Sequence, residues 1–289
     1  MDEGTGDTYR RYPGGLLLEK NPALTLEPEE VVWGLNTILE CLHAGRRQVR
    51  RLYVGRGLAG VKEREILRLA QEKGVAVAWK KKSELSSLAG TKRHQGMVAL
   101  VERLKVYGLD EVLQEVREGS EPALLLVLDG IQDAGNLGSI LRVAETVGAD
   151  AVVLPKSRSA KLGAGAAKSS AGAIEHVRIV QVSNLRAAMK AIREAGIWLV
   201  GADEKASRVY YDTDLSVPLA LVVGGEEKGL RRLTRENCDL LVKIPMRGRI
   251  GSLNAAVAAA VIAFEIARQR AKKGVQTRKD KNARGTGKR

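Results

Sequence analysis

Apolar residues recur at Leu35, Ile38, Leu39 and Leu42, a spacing that gathers them on one face of a helix over "GLNTILECLHAG", with Gly45 suited to its C-terminal cap. "RRLYVG" then reads as a strand, "VKEREILRLAQEKG" returns to the helical period, and "VAVAW", "KSELSSLAG" and "GMVALVE" predict a strand, a short helix and a strand ending near Glu102. These elements form an αβαβαβ unit across residues 29–105. The preceding residues 1–28 mix Gly, Pro and charges around "GGLLLE" and read as a flexible extension with little structure.

Residues 106–122 predict a linker: a helix in "YGLDEVLQEVREGSEPA" followed by a Gly/Ser/Pro break. Beyond it, "LLLVLD", "AVVLP", "HVRIVQV", "IWLVGAD", "LALVVGG" and "LLVKIP" are near-continuous apolar runs. They alternate with helical patterns in "LGSILRVAETVG", "NLRAAMKAIREAG" and "SLNAAVAAAVIAFEIARQR". That alternation predicts an α/β domain over 123–270 whose mostly parallel sheet is covered on both faces. The tail, 271–289, has eight basic residues and one acid, half of the protein's net charge, and no periodicity. It reads as a basic disordered segment, suited equally to RNA contact or to solubility.

The chain has 289 residues, 44% of them apolar, enough for two domains with separate cores. A formal charge of +14 makes a polyanion the first partner to consider, because Lys and Arg gain affinity by releasing counterions from phosphate. A membrane surface is the second. No apolar stretch approaches the roughly 18 to 20 residues of a membrane span, and the N-terminus has no signal-peptide pattern, so the expected location is the cytoplasm. Cys41 and Cys238 lie far apart, and His43, His94 and His176 have no metal-ligand spacing, so neither a disulfide nor a metal site is expected. With aromatics at 3%, a sheet that reads single strands by stacking bases is not expected, and RNA would be held through phosphates, 2'-hydroxyls and shape.

Basic residues collect where the elements of the front unit end: Arg46, Arg47, Arg50 and Arg51; Lys80, Lys81 and Lys82; Lys92, Arg93 and His94. They are either solvated turns or binding groups presented by a rigid scaffold. The first and third clusters are the candidate RNA-binding residues.

"LDGIQDAGNLGSILRVAETVGADAVVLPK" has the outline of a dinucleotide site: strand, glycine-bearing loop, helix, strand. Only Gly135 and Gly138 stand in the loop, and the second strand ends in Pro155 and Lys156 rather than an acid, so the dinucleotide fingerprint fails on both counts. In the helix, Ile140, Val143, Ala144 and Val147 share one face, and Arg142 projects from roughly the opposite side in the first turn. A cation there opposes the helix macrodipole at a cost on the order of a few tenths of a kcal/mol. It is either an exposed arginine of little consequence or a sign of a working site.

Two further stretches bear on that choice. "LVVGGEEKGL" is a strand entering a Gly-rich loop, and "VKIPMRGRIGSLNAAVAAAVIAFEIARQR" is a strand, an irregular loop and a helix. With "NLGSILR" they resemble, in order and spacing, the three motifs of the SpoU (TrmH) branch of the SPOUT RNA methyltransferases, over 124–270. Within it the chain is most similar to the 23S rRNA (guanosine-2'-O-)-methyltransferase group, whose small ribosomal-protein-like RNA-binding domain "VVWGLNTILECLHAG" and "RHQGMVAL" also resemble. The resemblance implies 2'-O-ribose methylation of RNA, a trefoil-knotted catalytic domain, a homodimer, and S-adenosylmethionine held in the knotted loops. The last helix permits this: apolar on nearly every side from Leu253 to Phe264, it must be buried on several faces, and its alanines allow close approach.

By motif position, the resemblance implies cofactor contacts at Gly224, Ile244 and Leu253, with Met246 and Gly248 nearby, and a catalytic constellation of Asn136, Arg142, Glu226, Ser252 and Asn254. Ser252 also fits an ordinary helix N-cap. Two departures stand out: Gly225, where Ser, Ala or Asn is common, and Ala256, where a second serine is common. Family accounts often make the first-motif arginine a base. Arginines titrate far above neutral pH, so using one as a base there would cost on the order of 7 to 9 kcal/mol; a lasting cation that holds phosphate and developing alkoxide is the expectation here. Two alternatives stand beside this function. One is a catalytically weak or inactive rRNA-binding assembly factor on the same scaffold; the other is a methyltransferase acting on tRNA or another rRNA site, such as that of thiostrepton resistance.

Overall fold

The front unit closes as a four-stranded sheet, one strand more than its apolar spacing predicts. The computed structural model describes residues 29–57, 60–226, 228–249 and 251–273, with backbone alone at 9–11, 17–19 and 274–285. The chain divides into one unit of Met1–Lys105 with Leu162–His176 and a second of Val106–Lys161 with Val177–Arg289.

In the first unit, β1 (Tyr9–Arg11) pairs antiparallel with β2 (Leu17–Glu19), a short ladder inside the extension expected to have little structure, whose other residues lie outside the described ones. Then follow β3 (Glu29–Trp33), α1 (Leu35–Ala44), β4 (Val49–Gly55), α2 (Val61–Glu72), β5 (Ala76–Lys80), α3 (Lys82–Ala89) and β6 (Met97–Glu102). The sheet order is β3-β6-β4-β5, with β4 and β5 parallel and β6 antiparallel to both its neighbours. β3 is the strand missed: it is short, begins with two acids, and pairs with β6 far along the chain, so no local pattern marks it. Ile38, Leu42, Leu52, Ile66 and Met97 fill the core under α1 and α2, and Tyr53, Leu85, Val98 and Leu100 fill the other face. Gly45 closes α1 in the left-handed conformation, φ 60°, its N–H donating to the Cys41 carbonyl, as its position predicts.

His94 belongs to this core. It is 1% exposed; its Nδ1 accepts the Gly96 N–H at 3.0 Å, and its Nε2 lies 3.1 Å from Ser86 Oγ, whose own hydroxyl donates to the Lys82 carbonyl. The ring therefore sits neutral with its proton on Nε2. Burial, and then the charge of Lys82, lowers its pKa from the usual 6.5. The unfolded chain thus takes up the proton more readily. The stabilisation is present above about pH 6.5 and is lost as pH falls through the lower folded value. Thermal unfolding of the wild type is expected to lose more stability from about pH 7 to about pH 5 than that of His94→Gln; parallel pH profiles for the two would count against this.

The second unit runs α4 (Leu109–Glu118), β7 (Leu124–Asp129), α5 (Ala134–Thr146), β8 (Ala151–Pro155), then, after α6 (Ala164–Ser169), β9 (Ile179–Val182), α7 (Leu185–Glu194), β10 (Trp198–Ala202), β11 (Arg208–Val209), β12 (Leu219–Gly224), α8 (Arg232–Glu236), β13 (Leu240–Lys243) and α9 (Ala255–Gly285). Its seven strands, in the order β11-β13-β10-β12-β7-β8-β9, are all parallel. Every residue of β7 and β12 is buried, as a sheet covered on both faces requires. α4 and α7 contribute Val112, Leu113, Met189 and Ile192 to one core with Val127 and Val222, while α5 packs against α9 and α9 against β12. Arg270 of α9 donates to the carbonyls of Pro122, Ala123 and Val217 at 2.6 to 2.9 Å, pinning the helix to the chain entering β7 and β12.

Contacts add detail at three places. The helix expected in the linker is α4, which supplies core residues of the second unit, and the Tyr107 N–H donates to the Ile179 carbonyl at 2.8 Å. Residues 162–176, within the stretch read as the catalytic domain, make contacts with the first unit: Thr37 Oγ1 donates to the Ala167 carbonyl at 3.3 Å, and His176 Nε2 lies 2.9 Å from Glu40 Oε2. The tail expected to be disordered from 271 continues α9 to Gly285, since Lys, Arg, Gln and Ala extend a helix already nucleated; its side chains beyond residue 273 lie outside the described residues. No helix among the described residues is long and apolar enough to cross a membrane.

Candidate active site

Strands β7, β12, β10 and β13 are parallel neighbours, so their C-terminal ends share one edge of the sheet and the loops beyond them meet there. This is where an open parallel sheet places its ligands. Asp133 caps α5, its Oδ1 accepting the Asn136 N–H at 2.8 Å. At the end of β12 the chain folds back on itself: the Gly229 N–H donates to the Gly225 carbonyl at 2.9 Å, and a Cβ on Gly224 would lie 2.1 Å from the Gly229 carbonyl carbon. Gly225 is equally constrained, since its N–H donates to the Asp129 carbonyl at 3.0 Å and a Cβ there would meet the Gly130 oxygen at 2.5 Å. In this backbone Gly225 is a packing requirement rather than a loosening of the site.

β13 leads into the segment before α9, whose first turn is capped by Asn254: its Oδ1 accepts the N–H groups of Ala256 and Val257 at 3.0 and 3.3 Å. Ser252, the expected cap, lies two residues too early and is exposed. Asn254 Nδ2 donates to Asn136 Oδ1 at 2.9 Å, and Asn136 Nδ2 donates to Glu226 Oε1. Three residues named from the motifs therefore form one chain of hydrogen bonds joining the first turn of α5 to the loops after β12 and before α9. It holds the Asn136 amide plane fixed and leaves one of its N–H bonds for a ligand.

Beside this chain lies a cavity of about 680 Å³, within the usual range for a small-molecule site. Gly224, Ile244, Met246, Leu253, Ser252 and Glu226 line it, and Gly248 lies between Met246 and Gly251 of the wall without lining it. Sequence reading missed Asp203 and Lys205, beyond β10, and Arg235 of α8, all on the cavity wall; Arg235 Nε pairs with Asp203 Oδ2 at 3.0 Å. No motif marks them, because they reach the site only through the position of β10 beside β12.

Arg142 stands apart. α5 begins at Ala134, so Arg142 is its ninth residue, in the third turn, and the expected clash with the positive end of the macrodipole does not arise. The helix starts earlier than its apolar period suggests because Asp133 supplies the cap. Arg142 is exposed, and six residues from Asn136 it is turned about 120° around the helix axis. Its backbone carbonyl accepts Thr146 Oγ1; the hydrogen bonds that join Asn136, Glu226 and Asn254 do not include it.

The RNA-binding candidates of the first unit separate into two kinds. Arg47 is buried: its Nε donates to Glu175 Oε2 at 2.8 Å and its Nη1 to Glu30 at 3.0 Å. Burial works against its charge, but the hydrogen bond and charge of Glu175 hold its pKa above the ordinary value. With His94 in the core, neither residue faces RNA directly, and both assignments are corrected. Arg50 is half-buried against Glu102, whereas Arg46, Arg51, Lys92 and Arg93 are exposed. Burial and then the Asp239 charge push the Cys238 thiol up to about 12, which keeps it in the thiol form near neutral pH.

Residues 123–264 match the SpoU rRNA Methylase family, and residues 31–107 match RNA 2'-O ribose methyltransferase substrate binding. YacO of Bacillus subtilis, whose name leaves tRNA and rRNA both open, is 37% identical over 84% of this chain and 97% of its own. The 23S rRNA (guanosine-2'-O-)-methyltransferase RlmB of Ralstonia nicotianae is 39% identical over 85% of this chain and 98% of its own. Among solved structures, the SpoU methyltransferase AviRb of Streptomyces viridochromogenes in complex with AdoMet superposes with a TM-score of 0.70 at 31% identity, covering 84% of this chain and 91% of that one.

Proposed function

The chain belongs to the SpoU rRNA methylase family and is an RNA 2'-O-ribose methyltransferase, and from that premise we propose that it methylates a guanosine of 23S rRNA with S-adenosylmethionine as donor. The observation that supports this most directly is the hydrogen-bonded chain Asn254–Asn136–Glu226 beside a cavity walled by Gly224, Ile244, Met246 and Leu253. The donor fits that cavity: its volume is adequate, its apolar walls suit an adenine ring, and at Gly224 the backbone approaches too closely for any side chain.

When bound, S-adenosylmethionine would supply a sulfonium-activated methyl group for the ribose 2'-oxygen, with S-adenosylhomocysteine as the leaving thioether and the hydroxyl proton passing to solvent. Glu226 and Asn254 lock the Asn136 amide, so that its remaining N–H can donate to the ribose and fix the attacking oxygen in line. Arg142 stays cationic, holding the adjoining phosphate and stabilising charge as it develops on the 2'-oxygen. The front unit holds the flanking RNA through Arg46, Arg51, Lys92 and Arg93, each a phosphate contact rather than a base reader. The work is set in the cytoplasm, where the rRNA substrate is made.

The inactive assembly-factor alternative rested on Gly225 and Ala256. Gly225 is demanded by packing, and Ala256 is 6% exposed in the core, so neither position requires loss of chemistry. Incubation with tritiated S-adenosylmethionine and unmodified 23S rRNA tests the reading. Label at a single alkali-resistant linkage after a guanosine is the expected result. Tight RNA binding without transfer would leave only the assembly factor, and label on tRNA alone would move the target.

The same proposal includes a knotted catalytic unit acting as a homodimer. Val257 and Phe264 of α9 are 48% and 50% exposed and lie seven residues apart on one helical face, with Leu253 also exposed, which is apolar area a second copy would cover. Phe264→Asp is expected to shift the wild-type dimer to monomer in sedimentation equilibrium with helical content unchanged. A wild type that sediments as a monomer would contradict the pairing.

A further inference from the structure

The front unit has two unlike ends. Where β4 begins, cations are matched by acids: Arg47 with Glu30 and Glu175, and Arg50 with Glu102. At the other end, β4 and β5 finish side by side, β3 finishes and β6 starts, so the N-termini of α1, α2 and α3 all lie there. Their partial positive charges add to Arg56, Lys62, Lys81 and Lys82, which are exposed. Two acids stand at this end, Glu63 in the first turn of α2 and Glu84 in that of α3; Glu84 is taken by Lys80 at 2.9 Å and by the Lys81 N–H, so Lys81 and Lys82 keep their positive charge toward solvent.

β5 is one of the two edge strands of this sheet, and it carries Trp79 at 52% and Val77 at 37% exposure. Both share the face of Leu52 and Val54, their partners in register, which are core positions under α1 and α2. At the edge that face is uncovered. Edge strands are commonly protected by lysine, and Lys80 to Lys82 would serve; a half-exposed tryptophan does the reverse. In a chain with only three tryptophans, a flat ring beside a run of lysines, of which Lys80 alone pairs with Glu84, has the chemistry of a base platform next to phosphate contacts.

We propose that Trp79 stacks an unpaired base of the RNA substrate while Arg56, Lys81 and Lys82 hold the adjoining phosphates. The proposal rests on the reading of this chain as an RNA methyltransferase and specifies what its front unit binds: a single-stranded segment rather than a duplex. It adds a ring to the expectation that RNA is held through phosphates, 2'-hydroxyls and shape, since one edge tryptophan can stack a base where a whole stacking sheet is absent. Lys81 and Lys82, left out of the sequence-based RNA set, enter through it.

The test uses the full-length protein, a single-stranded oligouridylate and an RNA duplex of the same length. The single strand is expected to quench wild-type tryptophan emission and to bind more tightly than the duplex. Trp79→Ala should weaken single-strand binding between about 5- and 150-fold and abolish the quench, while Trp79→Phe restores most of the affinity without the quench. Lys81→Ala with Lys82→Ala should reduce the salt slope by about 1.4. Unchanged affinity and quench in Trp79→Phe and Trp79→Ala would overturn the proposal. So would wild-type self-association that Trp79→Ala abolishes, which would assign the edge to a second copy. If Trp79→Ala does not fold, retention of the quench by Trp79→Phe overturns it alone. Absence of methyl transfer by the wild type would defeat the enzyme reading separately and leave the quench intact.

Discussion

Replacing Arg142 with alanine is expected to lower methyl transfer to rRNA by roughly 100- to 1000-fold, the usual consequence of removing one preorganised group that stabilises developing charge, while S-adenosylmethionine binding is unchanged. The separation follows from position: Arg142 lies outside both the cavity wall and the Asn254–Asn136–Glu226 chain, so its loss leaves the cofactor's contacts in place. Exposed in the third turn of α5, it pays no dipole penalty and is open to RNA phosphate. Arg142→Lys discriminates between the two roles. A lysine keeps its charge below about pH 10, so a cation role predicts partial activity with a flat profile across neutral pH in single-turnover assays. A wild-type titration of the chemical step that the lysine variant moves strongly would make Arg142 the base instead.

The second large effect is expected at Gly224. A single methyl group there would stand 2.1 Å from the Gly229 carbonyl carbon and 2.3 Å from the Leu230 nitrogen, and both neighbours are backbone, which cannot swing aside as a side chain would. The loop must move, at about 1 to 3 kcal/mol for overpacking of this kind, and with it the floor of the cavity. Gly224→Ala should therefore weaken S-adenosylmethionine binding at least about 100-fold, equivalent to about 2.7 kcal/mol, measured by calorimetry. Gly248→Ala is the control: a Cβ there meets nothing within 4 Å and lines no part of the cavity, so its affinity should match the wild type. Equal affinities for both variants would show that the loop yields freely and that Gly224 is not what shapes the site.

Much of the molecule is written locally. The apolar runs of "LLLVLD" and "LALVVGG" announce buried parallel strands because a sheet covered on both faces needs apolar residues at every position, and helices such as "NLRAAMKAIREAG" carry their period openly. Asn136, Glu226 and Asn254 are legible as a set because each belongs to a short motif whose order the chain preserves. What the motifs could not convey is adjacency. That Asp203 and Arg235 join the cavity follows only from β10 lying beside β12, and that Arg47 is a buried ion-pair partner rather than an RNA contact follows only from Glu175 packing beside it. A basic residue in a loop reads the same whether its partner is phosphate or a carboxylate far along the chain.

The sequence by itself therefore determined most of the element types, the parallel α/β class of the second unit and the motifs that carry the chemistry, since backbone propensity and apolar periodicity act over a few residues. The tertiary structure decided which cations are free, which helix start is capped by Asn254 rather than Ser252, and which tryptophan stands exposed at a sheet edge. Those outcomes depend on burial and pairing between residues far apart in the chain, and only the folded backbone brings such residues within reach of one another.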